Sequence, residues 1–197
     1  MSSLLTKVEF TEATWDEVQG FDCGDKPYQL EVSNWLKGEL GKDSALSAIK
    51  NTERPATIWL YQLEDRRLVG FGALGKSEWR WKGKKDPKIP VTLIIWYAVQ
   101  KEFQKQPPGP PEGHYSAQIL DDLMAVALDD QLTHPVLGLC VQAENQRAID
   151  LYKRVGFTES LDPFIDKETG GKYQRMAMVL NAAALLQIRD AALKGKK

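Results

Sequence analysis

Cysteine and histidine are scarce in this chain, at two residues each. Cys23 and Cys140 stand far apart and neither belongs to a spaced pair, so no disulfide framework and no zinc-ligand pattern can be drawn from them. An excess of charge of one sign is missing too. Lysine plus arginine number 26 and aspartate plus glutamate 27, and the net charge of -1 gives no global attraction to nucleic acid or anionic membrane. No apolar run approaches a membrane span, and residues 1–14 lack a basic segment followed by an apolar one. No internal repeat is visible. These absences lead us to expect a cytoplasmic domain with no metal and no membrane partner.

What is present is 197 residues, 43% of them apolar, enough for one α/β domain spanning 1–197. Residues 12–17 and 28–40 carry helical spacing, with Leu36 and Leu40 on one face, Trp35 beside them and Pro27 suited to a helix start. Residues 45–49 add a short helical piece. Residues 56–63 alternate as a strand, Glu64-Asp65-Arg66 turns the chain, and 67–75 returns as the second arm of a hairpin. Its glycines, Gly70, Gly72 and Gly75, signal close packing or a bulge. Residues 91–99 form the most β-prone run, apolar on both parities, as a central strand covered on both faces is. A stiff, proline-rich connection fills 100–113. Residues 116–130 read as an amphipathic helix with Ser116 as N-cap and Ile119, Leu120, Leu123, Met124 and Ala127 as its buried stripe.

Beyond it, 136–141 reads as a short buried strand that puts Cys140 in the core, whereas Cys23, beside Gly24, reads as part of a turn. Residues 145–155 form a helix closed by Gly156, 173–180 a last strand and 182–193 a terminal helix. The strand–helix–strand–helix stretch requires parallel pairing in the middle, and the flanks suit antiparallel strands. The expected fold class is therefore α/β with a mixed sheet and helices on both faces.

The densest motif is Asn145-Gln146-Arg147-Ala148-Ile149-Asp150-Leu151-Tyr152-Lys153-Arg154-Val155-Gly156-Phe157. It closely resembles the signature of the GNAT superfamily of N-acetyltransferases: an asparagine, an alanine-hydrophobic pair, a tyrosine, then glycine-phenylalanine. Upstream, Phe21-Asp22-Cys23-Gly24 followed by Leu30 and Trp35-Leu36 looks like the opening of GNAT proteins that include aminoacyl-tRNA-acetylating toxins. The resemblance implies a mostly antiparallel sheet in which the parallel strands at 91–99 and 136–141 splay apart. It implies acetyl-coenzyme A as co-substrate. Backbone groups of Trp96, Tyr97, Ala98 and Val99 would then bond the pantetheine amides as an added strand does. Asn145 would bond the same arm, and Tyr152 would set its hydroxyl near the thioester sulfur to assist the leaving thiolate.

One departure stands out. The family's phosphate loop follows the pattern Arg/Gln-x-x-Gly-x-Gly/Ala, but here Pro111 holds the basic position, His114 the first glycine and Ser116 the second. His114 and the amides of Tyr115, Ser116, Ala117 and Gln118 are left to meet the phosphates. Pro111 has no amide to offer and Glu112 opposes an anion, which puts the strength of coenzyme A binding in question.

Trp79-Arg80-Trp81-Lys82-Gly83-Lys84-Lys85 interleaves rings and cations, as nucleic-acid grips do. The plainer reading, which we adopt, is a solvated hairpin turn whose tryptophans cover apolar surface. His134, before Pro135, reads as a loop residue. No general base stands out: residues 91–99 contain no carboxylate, and Glu78 and Glu102 lie at the ends of neighbouring elements. Three functions remain open. The first is N-acetylation of a primary amine on a small molecule or peptide. The second is toxin-type acetylation of aminoacyl-tRNA. The third is a catalytically weak GNAT-fold module that binds acyl-coenzyme A or a protein partner. A homodimer is compatible with each.

Overall fold

A computed structural model describes residues 5–80, 87–104, 114–160, 164–165 and 170–194. Most of the basic run, 81–85, and most of the proline-rich connection, with Pro111, Glu112 and Gly113, lie outside the described residues. The chain begins with β1 (Thr6–Glu9) and a 3-10 turn (Glu12–Val18), then α1 (Pro27–Lys37), α2 (Ala45–Lys50), β2 (Thr57–Gln62), β3 (Leu68–Arg80) and β4 (Lys88–Val99). A second 3-10 turn (Lys101–Phe103) precedes α3 (Tyr115–Asp129), β5 (Val136–Gln142) and α4 (Gln146–Val155). The short strands β6 (Thr158–Glu159) and β7 (Phe164–Ile165), then β8 (Lys172–Val179) and α5 (Ala182–Lys194), complete it. The strand order is β1-β2-β3-β4-β5-β8-β6, with β7 also on β8. β4 and β5 pair in parallel from Val91↔Val136 to Ile94↔Leu139, while β1–β2, β2–β3, β5–β8, β6–β8 and β7–β8 are antiparallel. This is the mixed, mostly antiparallel sheet expected from sequence. β1, a polar strand of four residues, is an addition to that expectation: too short and too polar to show a period.

The chain divides into two compact units, Met1–Gly75 with Ile95–Ala125, and Lys76–Ile94 with Val126–Lys197. In the first, one core gathers Trp35 and Leu36 of α1, Ala45 of α2, Ile58 and Leu60 of β2, and Phe71 and Ala73 of β3. Phe71 takes the edge of Phe21 at 5.4 Å and stacks on Trp35 at 5.9 Å, contacts worth about 0.5–1.5 kcal/mol each beyond their buried area. The other side of β3 meets α3. A Cβ on Gly70 would lie 2.4 Å from the Ala98 carbonyl oxygen and 2.8 Å from Ile119 Cδ1, and one on Gly72 would lie 2.8 Å from Leu123. Those glycines therefore serve close packing, and the register also shifts beside Gly70, where Tyr61↔Gly70 is followed by Gln62↔Leu68. Ile119, Leu120, Leu123 and Ala127 are buried as expected, and Met124 is half-buried. α1 ends at Gly38 (φ 85°), so Leu40 lies past the helix and is 39% exposed rather than buried beside Leu36. Cys23, read from sequence as part of a turn, lies in irregular chain before α1 and is buried, with its N–H donating to Ser33 Oγ at 3.1 Å.

In the second unit Trp79, Ile89, Val91, Val136, Ala177 and Leu185 form a compact cluster. β3 runs on through Arg80, so Trp79 is a strand residue that helps fill this cluster, with the Arg175 guanidinium 5.8 Å from its ring. A Cβ on Gly138 would fall 2.6 Å from that ring and 2.8 Å from Val91 Cγ1. Cys140, two residues further along the same face of β5, is exposed, contrary to the buried thiol expected. Among the described residues no helix is long and apolar enough to cross a membrane.

Candidate active site

β4 carries the first group of candidate residues. The Gln100 N–H donates to the Val69 carbonyl at 2.7 Å, so Gln100 faces β3. Strand alternation then turns the backbone groups of Ala98 toward β3 as well, and those of Tyr97 and Val99 toward the opposite edge. The close approach of the Ala98 carbonyl to Gly70 agrees with this. β4 pairs with β5 from Val91 to Ile94 and itself continues to Val99. The Val99 carbonyl is already engaged: Gln104 Nε2 donates to it at 2.8 Å and to the Cys23 carbonyl at 2.7 Å. The Lys101 N–H donates to the Asp22 carbonyl at 2.8 Å, and its ammonium meets Asp25 at 2.7 Å. Sequence reading gave no role to Gln104. A lone glutamine after a strand has no pattern to mark it.

The start of α3 carries the second group. The helix begins at Tyr115, so Ser116 sits in its first turn and is not the N-cap expected. Instead the His114 carbonyl receives the N–H groups of Ala117 at 2.9 Å and Gln118 at 3.2 Å, which commits those two amides. His114 is exposed, and Tyr115 and Ser116 are half-buried. Phe103 packs edge-on against Tyr115 at 5.8 Å, and the Arg67 guanidinium stands over Phe103 at 5.6 Å. A cation from the β2–β3 turn thus stands on the ring packed against Tyr115.

α4 carries the third group. Asn145 is its N-cap, with Oδ1 accepting the Ala148 N–H at 3.2 Å, and Gly156 (φ 109°) closes it as expected. Ile149 and Tyr152 are the buried residues of the helix. The Tyr152 ring is 9% exposed and meets Phe157 at 5.8 Å with an interplanar angle of 66°. Of the candidate bases, Glu78 lies 3.4 Å from the Lys88 ammonium and Glu102 sits exposed in the 3-10 turn after β4. Burial pushes the Cys23 thiol up, and it serves no better as a nucleophile. Among the described residues no group of three His, Cys, Asp or Glu side chains is set to hold a metal ion.

The family model of GNAT acetyltransferases matches residues 24–157, a span that takes in the β4 edge, the start of α3 and all of α4. The chain belongs to the GNAT family. No curated protein sequence matches this GNAT chain. Several solved structures share its fold. A tyrosine-to-phenylalanine mutant of the toxin AtaT, bound to the C-terminus of the antitoxin AtaR and acetyl-CoA, aligns with TM-score 0.58 and 19% identity over 93% of this chain and 98% of that one. AtaT complexed with acetyl-methionyl-tRNAfMet aligns with TM-score 0.55 and 21% identity over 86% and 94%. The spermidine/spermine N-acetyltransferase SpeG from Vibrio cholerae aligns with TM-score 0.51 and 16% identity over 89% and 92%. At these identities the likeness is one of GNAT fold.

Proposed function

We propose that this GNAT domain transfers an acetyl group from acetyl-coenzyme A to a primary amine on a small molecule or peptide. The observation that carries the reading is a phenol, Tyr152, on the buried side of the helix that bears the family signature. Bound acetyl-coenzyme A supplies a thioester whose sulfur leaves as a thiolate. Tyr152 donates the proton or hydrogen bond that this sulfur needs. Asn145, whose oxygen is spent on the helix cap, uses its amide nitrogen toward the pantetheine arm. Tyr97 and Val99 pair with that arm along the outward edge of β4, while Ala98 lines the strand with its own backbone turned to β3. At the start of α3, the Ser116 amide and hydroxyl, His114 and Tyr115 meet the pyrophosphate. Ala117, whose N–H is committed, allows close approach. Arg67 supplies the cation that Pro111, at the motif's basic position, does not. No carboxylate stands on β4, so the proton of the attacking amine passes to water.

A second reading, acetylation of the amine of aminoacyl-tRNA, draws on one observation. The stretch Phe21-Asp22-Cys23-Gly24, which resembles the toxin branch, is built into the first core, with Phe21 and Cys23 buried. AtaT, solved with acetyl-methionyl-tRNAfMet, has the same fold.

Thermal melting with millimolar acetyl-coenzyme A, followed by product analysis on polyamines, peptides and charged tRNA, tests both readings. Ligand at a hundredfold its Kd stabilises by about 2.7 kcal/mol, so a clear rise in Tm is expected, with N-acetyl product on small amines. Product on charged tRNA alone would favour the second reading. No shift and no product would leave a module that binds without catalysis.

A further inference from the structure

Gln104, just after β4, bonds two backbone segments at once, one five residues back and one 81 residues away. Its side-chain nitrogen carries two hydrogens, and each meets a carbonyl, Cys23 at 2.7 Å and Val99 at 2.8 Å. The Val99 carbonyl faces the outward edge of β4, so the amide of Gln104 occupies the place that the next strand, or a strand-like ligand, takes elsewhere along that edge. The Cys23 carbonyl belongs to residues 21–25, and further bonds hold that segment. The Lys101 N–H reaches the Asp22 carbonyl at 2.8 Å, Lys101 Nζ reaches Asp25 at 2.7 Å, and Cys23 is anchored to α1 through Ser33 Oγ and the Gln29 carbonyl, both at 3.1 Å. One of these bonds is backbone to backbone, and the others use the side chains of Lys101, Asp25, Ser33 and Cys23. Gln104 is the side chain that joins the edge of β4 itself to the segment.

We propose that Gln104 is a positioning residue: by clamping Val99 and Cys23 together, it makes acyl-donor binding along the β4 edge order residues 21–25. The inference rests on the reading of β4 as the pantetheine-binding edge. A ligand that pairs with Tyr97 and Val99 shares its last acceptor with Gln104, and so stiffens the amide that also holds Cys23. Gln104 touches neither the reacting atoms nor a charged group. Its effect is carried by geometry.

Amide hydrogen exchange, read by mass spectrometry on the full chain with and without acetyl-coenzyme A, tests this. In the wild type, donor should slow exchange in the β4 peptide and, by about threefold or more, in residues 21–25. In Gln104→Met, which keeps the length of the side chain but not its donors, the β4 peptide should still be protected while residues 21–25 lose their response. The Kd for acetyl-coenzyme A should rise about three- to tenfold, as expected for loss of one ordering contact. Protection of β4 without protection of 21–25 in the wild type would overturn the inference and leave donor binding intact. Unchanged coupling in Gln104→Met would also overturn it. No protection anywhere in the wild type would instead remove the donor-binding reading itself. The wild-type arm needs no variant, so poor folding of Gln104→Met does not blunt the test.

Discussion

Asn145 and Ala148 close the first turn of α4 on each other: the Asn145 carboxamide oxygen accepts the Ala148 N–H at 3.2 Å. The asparagine of the GNAT signature thus has a structural duty as well as the proposed binding duty, and the two can be separated. Asparagine and aspartate cap helices about equally well, whereas alanine costs about 0.5–2 kcal/mol. Asn145→Asp should therefore melt like the wild type and yet bind acetyl-coenzyme A more weakly, having lost its only donor toward the arm. Asn145→Ala should lose both stability and affinity. Equal affinity in Asn145→Asp, measured by calorimetry, would confine Asn145 to the cap.

The first unit contains a polar junction that bears on stability alone. The buried Tyr61 donates to Asp122 Oδ2 at 2.6 Å, and Lys7 reaches the same carboxylate at 2.9 Å. Burial, reinforced by the Asp122 charge, pushes the Tyr61 phenol far up, so it stays a donor at every working pH. Tyr61→Phe should cost about 1.5–3 kcal/mol in urea unfolding, the range for a hydrogen bond to a charged group. Lys7→Ala, at a pair one-third exposed, should cost less than about 1 kcal/mol. The opposite ranking would mean that the carboxylate is held chiefly by the lysine.

Much of the fold was legible because its signals are periodic. The stripe Ile119, Leu120, Leu123 and Ala127, the closing Gly156 of α4 and the β-prone run 91–99 of β4 each follow from local chemistry. What escaped was decided by tertiary cover. Cys140 looks buried in the run Val136-Leu137-Gly138-Leu139, yet it is exposed, while Gly138 on the same face lies under the ring of Trp79. Leu40 continues a helical stripe, but Gly38 ends the helix first. At the candidate site, sequence marked Tyr152 and Asn145 through a motif. Gln104 and Arg67 act through partners 81 and 36 positions away in the chain, a relation no local pattern records.

His134 sets a pH dependence for the second unit. It is half-buried; Nδ1 lies 2.8 Å from Asp130 and 3.0 Å from Thr133 Oγ1, and Lys76 bonds the same aspartate at 2.5 Å. Burial pushes the imidazole pKa down and Lys76 adds to this, against the pull of Asp130. Burial pushes the Asp130 carboxyl up, but the bonds from Lys76 and Thr133 outweigh it, so the carboxylate stays charged below the usual range. A histidine with a depressed folded pKa favours the neutral ring in the native state. Its contribution is full above the unfolded value of about 6.5 and is lost as pH falls through the folded pKa. Wild-type stability should therefore drop as pH falls below about 6.5, and the drop should be shallower in His134→Gln. Urea unfolding at a series of pH values checks this; parallel curves for the two proteins would exclude His134 as the cause.

The account turns on Tyr152. Its ring packs against Phe157 and is all but buried, so Tyr152→Phe keeps the packing and removes only the hydroxyl. The most direct test measures turnover and acetyl-coenzyme A affinity together for the wild type and Tyr152→Phe, with an acceptor amine under conditions where chemistry limits the rate. Loss of a general acid lowers turnover by about a hundredfold or more, and the account predicts that fall at unchanged donor affinity in a folded variant. Equal turnover in the two proteins would contradict it, reduce Tyr152 to a packing residue and leave protonation of the thiolate to water.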